Sequence, residues 1–466
     1  MHDDLAARLS SIVGAAEVVS DPDVVGARSV DYTGRYRGRA GLLVRPGSTG
    51  EVAAVLTECR DAGAYVTVQG GRTSLVAGTV PEHDDVLLST ERLRAVEPVD
   101  TVERRVRAGA GATLAAVQRA AAAESLVFGV DLAARDSATV GGMASTNAGG
   151  LRTVRYGDMG AHVLGLEVVL PDATVLVRRS EVRSDNTGYD LGALFVGAEG
   201  TLGVITALDL RLHPAPARRV TAVCGFARLD ALVDAGRMFR DLADIAALEL
   251  IDAGAAVLAA EHFDTPVPVA GDWLLLVELA ADADPTDELA RALDGLALCG
   301  EPAVGVDASA AARLWRVREA VTDVVSLFGP PLKFDVSLPL SAIPGFAAES
   351  ATLVAEHAPD AVPVLFGHIG EGNLHLNVLR CSPEAERGLY ASMMSLIAAH
   401  GGNVSSEHGV GTRKRDYLGM SRTEVDIATM RAVKRALDPT GYLNPAVLFS
   451  SVASGSNRAC AATSPG

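Results

Sequence analysis

The sequence predicts an α+β protein of two domains, and three observations lead there. A chain of 466 residues is too long for one ordinary hydrophobic core. Residues 42–90 alternate strand-like and helix-like patterns in βαβ order. From about residue 218 the texture changes to longer amphipathic helices interleaved with strands such as WLLLVEL (273–279), and Pro214 with Pro216 marks the boundary.

Taken in order, LLVRP is a short strand. Ser48 and Glu51 have capping-box spacing, and Val52, Val55, Leu56 and Cys59 then recur at helical intervals. YVTV (65–68) is the next strand and runs directly into the loop GGRTSLVAG. DVLLST (85–90) and ERRVRAGAGA open two further strands, and Thr113 caps an Ala-rich helix that ends near Ser125. HVLGLEVVL and TVLVRR, joined by Pro171, Asp172 and Ala173, form a hairpin. LFVGAEGTLGVITALDLRL closes the first domain. The last helix stops before Asp438-Pro439, and residues 450–466 read as a flexible tail.

Composition narrows the function. A net charge of −17 argues against nucleic acid or an anionic membrane surface as partner, so an anionic substrate needs locally placed basic groups. Lysine is scarce, at Lys333, Lys414 and Lys434, which makes each one notable against an arginine background. Five cysteines show neither metal-like nor disulfide-like spacing, which predicts a reducing, cytoplasmic setting. Neither a signal peptide nor an apolar run of transmembrane length is visible.

Three glycine-rich segments stand out. The loop after YVTV carries Gly70, Gly71 and Gly78 with Thr73 and Ser74. Backbone amides beside glycine approach phosphate oxygens closely, although a ligand-free turn reads this loop alone equally well. It is not GxGxxG, so nicotinamide binding gains no support. Residues 136–176 and 186–206 again concentrate glycine and small polar residues, and three such segments imply backbone pressed against a large, polyphosphate-bearing ligand.

In FGHIGEGNLHLNV (366–378), His368 and His375 flank a turn sequence. If the flanking residues are strands, the two rings converge, and His375 shares a face with Asn377. SSEHGVG (405–411) adds Glu407 and His408. Two imidazoles and a carboxylate suit Zn²⁺ or a similar ion with positions left open, while a hydrogen-bonded histidine pair is the plain alternative. In LWRVREAVTDVVSLFGPPLKFDVSLP (314–339), Arg318 and Thr322 share a helix face, and Lys333 sits in a strand-like stretch. Spacing alone makes these a solvated helix face and a surface lysine.

Together the segments resemble the vanillyl-alcohol-oxidase/PCMH flavoproteins, in their branch of FAD-linked D-2-hydroxyacid dehydrogenases, over roughly residues 30–449. The resemblance implies a PCMH-type FAD-binding domain over 1–216 and an α+β cap (substrate) domain with an antiparallel sheet over 217–400. A C-terminal segment, 401–449, would close the active site and return to the FAD domain. It implies that Gly70, Gly71, Arg72, Thr73 and Ser74 hold the FAD pyrophosphate. Ser137, Gly141, Gly142, Ser145, Thr146 and Asn147 would line the flavin, with Glu199, Gly200 and Val204 near it, and Gly78 and Asn444 completing the set. The family's loop, often RGGGTGLxGG, reads QGGRTSLVAG here, so Arg72 and Ala77 replace glycines, and Arg72 would add a phosphate contact. The loop holds neither histidine nor cysteine for a covalent link, so the FAD is expected to be non-covalent. The family's closing NPGK is replaced by Asn444-Pro445-Ala446-Val447.

HIGEGNLHLN is similar to the family's HxGxGNxHxN, which implies His368, His375 and Glu407 as ligands of a divalent metal, zinc by preference. The W-x2-R-E-x2-T…K-(Y/F)-D-(V/I)-S-L-P pattern resembles the D-2-hydroxyglutarate dehydrogenases of that branch. There the residues matching Arg318, Thr322 and Lys333 hold the distal carboxylate. Asn377 would bond the other carboxylate, and His408 would contact the substrate as general base. The implied reaction takes D-2-hydroxyglutarate to 2-oxoglutarate by hydride transfer from C2 to flavin N5. Electrons then pass to a separate acceptor, an electron-transfer flavoprotein or a quinone-linked carrier. A D-lactate or broad-specificity D-2-hydroxyacid dehydrogenase is the alternative, and a homodimer is compatible with either.

Overall fold

The computed structural model describes residues 2–179, 182 and 185–449; the expected tail at 450–466 lies outside them. The predicted βαβ unit is present. Strands Ala40–Val44 and Val66–Gln69 both pair parallel with Asp85–Ser89, and helix Thr49–Asp61 makes the crossover. Ser48 caps that helix by accepting the Glu51 amide, while the Glu51 carboxylate turns back to the amide of Gly47. The helix buries Val52, Val55, Leu56 and Cys59, the stripe that the spacing predicts. Thr113 caps helix Leu114–Ala123 by accepting from Ala116.

A second four-stranded sheet is antiparallel, in the order Arg105–Gly109, Val204–Arg211, Val163–Val169, Val175–Arg178, and its last pair is the predicted hairpin. The chain returns to the first sheet at its end, where Leu443 bridges Val66 in parallel.

Residues 218–379 build a seven-stranded antiparallel sheet. Its order is Ala303–Gly305, Arg218–Phe226, Trp273–Ala281, Ile245–Asp252, Val362–His368, Asn373–Leu379, Leu332–Ser337. Because side chains alternate, register decides what meets on each face. One face carries Leu248, Leu250, Phe334, Val336, Leu365 and Leu376 into the largest core, with helices Leu229–Arg240, Ile343–His357 and Pro383–Ala399. The other carries Ile251, Val364 and Phe366 against helices Ala253–His262 and Ala308–Val324. On this second face three rows of polar residues lie across the strands. Glu249 faces His368, His375 faces Asp335, and Asn377 faces Lys333. Among the described residues no helix is long and apolar enough to cross a membrane.

Candidate active site

The tight turn at 369–372 brings His368 and His375 together, their ring centroids 5.3 Å apart and edge to face. The loop at 405–411 then sets Glu407 and His408 above them. One Glu407 oxygen, Oε1, faces three imidazole nitrogens: His375 Nε2 at 3.3 Å, His368 Nε2 at 3.6 Å and His408 Nε2 at 3.8 Å. The His375 and His408 rings stack, 7° from parallel.

Two buried carboxylates clamp that loop. Asp335 accepts the amides of Ser406, Glu407 and His408 and lies 3.5 Å from the buried Lys414 ammonium. Glu199 accepts the amides of Val410 and Gly411. Asp335, His375, Glu407 and His408 present ligand-type atoms within 4.8 Å of one another. The oxygens of Asp335 are already committed to three amides and a lysine, whereas Glu407 Oε1 faces the three imidazole Nε2 atoms.

The electrostatics suit a cation. Burial works against the Glu407 charge, yet His368 and His375 hold its carboxyl well below the ordinary range. Burial also opposes a charge on His368, but Glu249 and Glu407 outweigh it and raise the ring to about 10. His408 differs: burial lowers it to about 4 despite the pull of Asp335, so its ring is neutral near pH 7. An imidazole and carboxylate donor set of this kind fits Zn²⁺ or a similar divalent ion.

At the far side, Arg318 is 4% exposed and gives its Nε to Glu249 at 2.8 Å and its Nη1 to Thr322 Oγ1 at 2.8 Å. The guanidinium lies 4.5 Å over the Phe366 ring. Lys333 is half-buried and unpaired among the described residues, and burial lowers its pKa. An unpaired ammonium in a low-dielectric wall is costly, and an anion would relieve it.

A cavity of about 840 Å³ joins this cluster to the glycine-rich segments. It is lined by Gly70, Gly71, Arg72, Thr73, Ser74 and Gly78, by Gly141, Gly142, Ser145 and Thr146, and by Glu199, Gly200 and Asn444. Arg318, Thr322, Lys333, His368, His375, Asn377, Glu407 and His408 line the same space. At the glycine-rich end the walls are close-packed: a Cβ on Gly71 would meet the Ser137 carbonyl oxygen at 1.9 Å, and one on Gly141 would meet Ala110 Cβ at 2.5 Å. Such a cradle fits a dinucleotide. Arg72 and Ala77 hold φ of 55° and 56°, left-handed values that explain why related loops use glycine there.

Three residues expected at the cofactor do not line the cavity. Ser137 is exposed and offers only its backbone to Gly71. Asn147 takes the left-handed helix cap and spends its side chain on Asp158 and the Gly160 amide. Val204 is 1% exposed in the core behind the wall. Glu199 and Asn444 reach the wall but act as braces: Glu199 holds the 410–411 amides, and Asn444 bridges the Val68 amide and the Glu199 carbonyl.

Comparison with known proteins decides the family. The FAD binding domain model matches residues 40–178, and the model of the C-terminal domain of FAD linked oxidases matches residues 215–448. The chain belongs to the FAD-linked oxidases. This FAD-linked oxidase is 36% identical over 456 residues to the mitochondrial D-2-hydroxyglutarate dehydrogenase of Bos taurus, covering 95% of this chain and 83% of the relative. It is 33% identical over 463 residues to the D-2-hydroxyglutarate dehydrogenase of Xanthomonas citri pv. viticola, covering 96% and 98%. In fold it is similar to p-cresol methylhydroxylase, with a TM-score of 0.79 at 18% identity over 95% of this chain and 96% of the other. The 4-ethylphenol oxidase of Gulosibacter chungangensis gives 0.78 at 17% identity over 96% and 97%. The PCMH-type flavin fold with an antiparallel α+β cap is therefore the fold of this FAD-linked oxidase, and the enzyme is an FAD-dependent oxidoreductase.

The sequence patterns assigned no role to three of its buried charges. Glu249 interrupts the apolar strand sequence IAALELID, Asp335 sits inside the KFDVSLP stretch, and Lys414 is one of the scarce lysines. A charge in an otherwise apolar strand was the available signal for the first.

Proposed function

We propose that the protein oxidises D-2-hydroxyglutarate to 2-oxoglutarate and passes the electrons to a separate acceptor, an electron-transfer flavoprotein or a quinone-linked carrier. The observation that carries the reading is the unpaired Lys333 ammonium, which lines the same cavity as the Arg318–Thr322 pair and the histidine cluster. Two separate grips suit a substrate with two carboxylates. The D-2-hydroxyglutarate dehydrogenases among its relatives support the same substrate.

Bound FAD supplies the hydride acceptor. His368, His375 and Glu407 would hold a divalent ion, zinc by preference, which supplies Lewis acidity toward the C2 hydroxyl. Lys333, Arg318 and Thr322 bind the distal carboxylate, and Asn377, opposite Lys333 in the sheet, bonds the near one. His408, uncharged at neutral pH, takes the hydroxyl proton on a ring nitrogen.

Anaerobic mixing of zinc-replete protein with D-2-hydroxyglutarate is expected to bleach the flavin's visible absorbance much faster than D-lactate does, with the L-isomers inert. Equal bleaching by D-lactate would replace the substrate assignment with a broad one. A second test concerns the cofactor loop. Arg72→Gly is expected to leave the melting temperature of the flavin-free protein near the wild-type value, because relief of left-handed strain of about 1 kcal/mol is offset by glycine's backbone entropy and the lost bond to the Ala27 carbonyl. The same change should weaken FAD binding roughly fivefold through a lost phosphate contact worth about 1 kcal/mol. Unchanged FAD affinity would exclude that contact.

A further inference from the structure

We infer that Glu249 is a positioning residue that serves both ends of the substrate at once, an inference resting on the function proposed above. Glu249 is 0% exposed and stands directly opposite His368 in the sheet register. Its Oε1 lies 2.6 Å from His368 Nδ1, and its Oε2 lies 2.8 Å from Arg318 Nε. Each carboxylate oxygen therefore takes one donor from a different functional group.

The first contact fixes a tautomer. With the Nδ1 proton given to Glu249, Nε2 is the His368 nitrogen left to face Glu407, and it would serve a metal once its own proton is displaced. The second contact fixes a direction. Arg318 is held by Glu249 at Nε, by Thr322 at Nη1 and by the Phe366 ring from below, so its remaining N–H groups have one orientation to offer. One rigid carboxylate thus sets the spacing between the metal end and the distal-carboxylate end, which is the dimension that distinguishes a five-carbon dicarboxylate from lactate.

The adjoining strand supplies a control. Glu278, also buried, bonds Arg152, Arg219, Trp315 and Thr221, none of them a residue assigned to substrate, metal or flavin. The experiment uses FAD-loaded protein with Glu249→Gln, Glu249→Asp and Glu278→Gln. A carboxamide accepts from only one of the two donors, whichever way it turns, so Gln cannot replace Glu. Zinc affinity, measured by competition with a chelator, is expected to fall about 10- to 100-fold in Glu249→Gln. At saturating zinc, the KM for D-2-hydroxyglutarate should rise about tenfold while that for D-lactate holds, reflecting a lost charge-assisted bond to Arg318. Glu249→Asp, which keeps the charge but is one methylene short, should fall between, and it decides the matter if the Gln variant does not fold. Glu278→Gln should lower the melting temperature and leave both readouts at wild-type values. Wild-type zinc affinity and KM in a folded Glu249 variant, or equal losses in Glu278→Gln, would overturn the inference. If the wild-type protein takes up no zinc, the metal assignment itself falls, and the KM ratio alone still judges Glu249.

Discussion

Replacing His408 with alanine is expected to slow flavin reduction by D-2-hydroxyglutarate about 10²- to 10⁴-fold, the usual worth of a positioned base. The protein should remain folded and yellow. The loop that carries His408 is held by the backbone amides of 406–408 on Asp335 and of 410–411 on Glu199, and alanine keeps every one of those bonds. What is lost is a neutral imidazole stacked on His375 in the cavity. Stopped-flow absorbance after anaerobic mixing reads the chemical step directly, and FAD content measured on the same sample separates a chemical defect from a binding one. A variant reduced at the wild-type rate would remove His408 from the role of base.

Local physics made much of this molecule readable. Ser48 and Thr113 cap helices because a side-chain oxygen one turn before the amides is a purely local arrangement. The convergence of His368 and His375 follows from a short turn between two strands, and the Arg318–Thr322 contact follows from helical spacing. Glu249 was out of reach of such reasoning. It meets His368 across 119 positions and Arg318 across 69, and the pairing depends on which non-neighbouring strand lies beside which. The cofactor segments failed in a different way. A run of small residues says that backbone comes close to a ligand, but not where each side chain points. Asn147 was therefore expected at the flavin although it serves a helix cap, and Val204 although it fills the core. The departures at Arg72 and Ala77, legible only as substitutions, became intelligible once their backbone proved left-handed.

The two basic residues of the distal grip should respond differently to removal, because only one of them is already paired. Lys333→Ala is expected to raise the KM for D-2-hydroxyglutarate about 10- to 100-fold, the worth of one charge-assisted bond of about 1.5–3 kcal/mol, and to leave D-lactate oxidation unchanged. Its melting temperature should hold or rise, since the wild-type ammonium is half-buried without a partner and burial already lowers its pKa. Arg318→Ala should cost the same selectivity and, in addition, about 3–5 kcal/mol of stability, because it strands the Glu249 carboxylate beneath the sheet with His368 as its remaining partner. Thermal melts and steady-state kinetics on the two variants test the distinction. If Lys333→Ala loses stability as Arg318→Ala does, the lysine is a structural ion and not a grip awaiting an anion. If neither variant separates D-2-hydroxyglutarate from D-lactate, the distal-carboxylate site is wrong, and with it the argument for a dicarboxylic substrate.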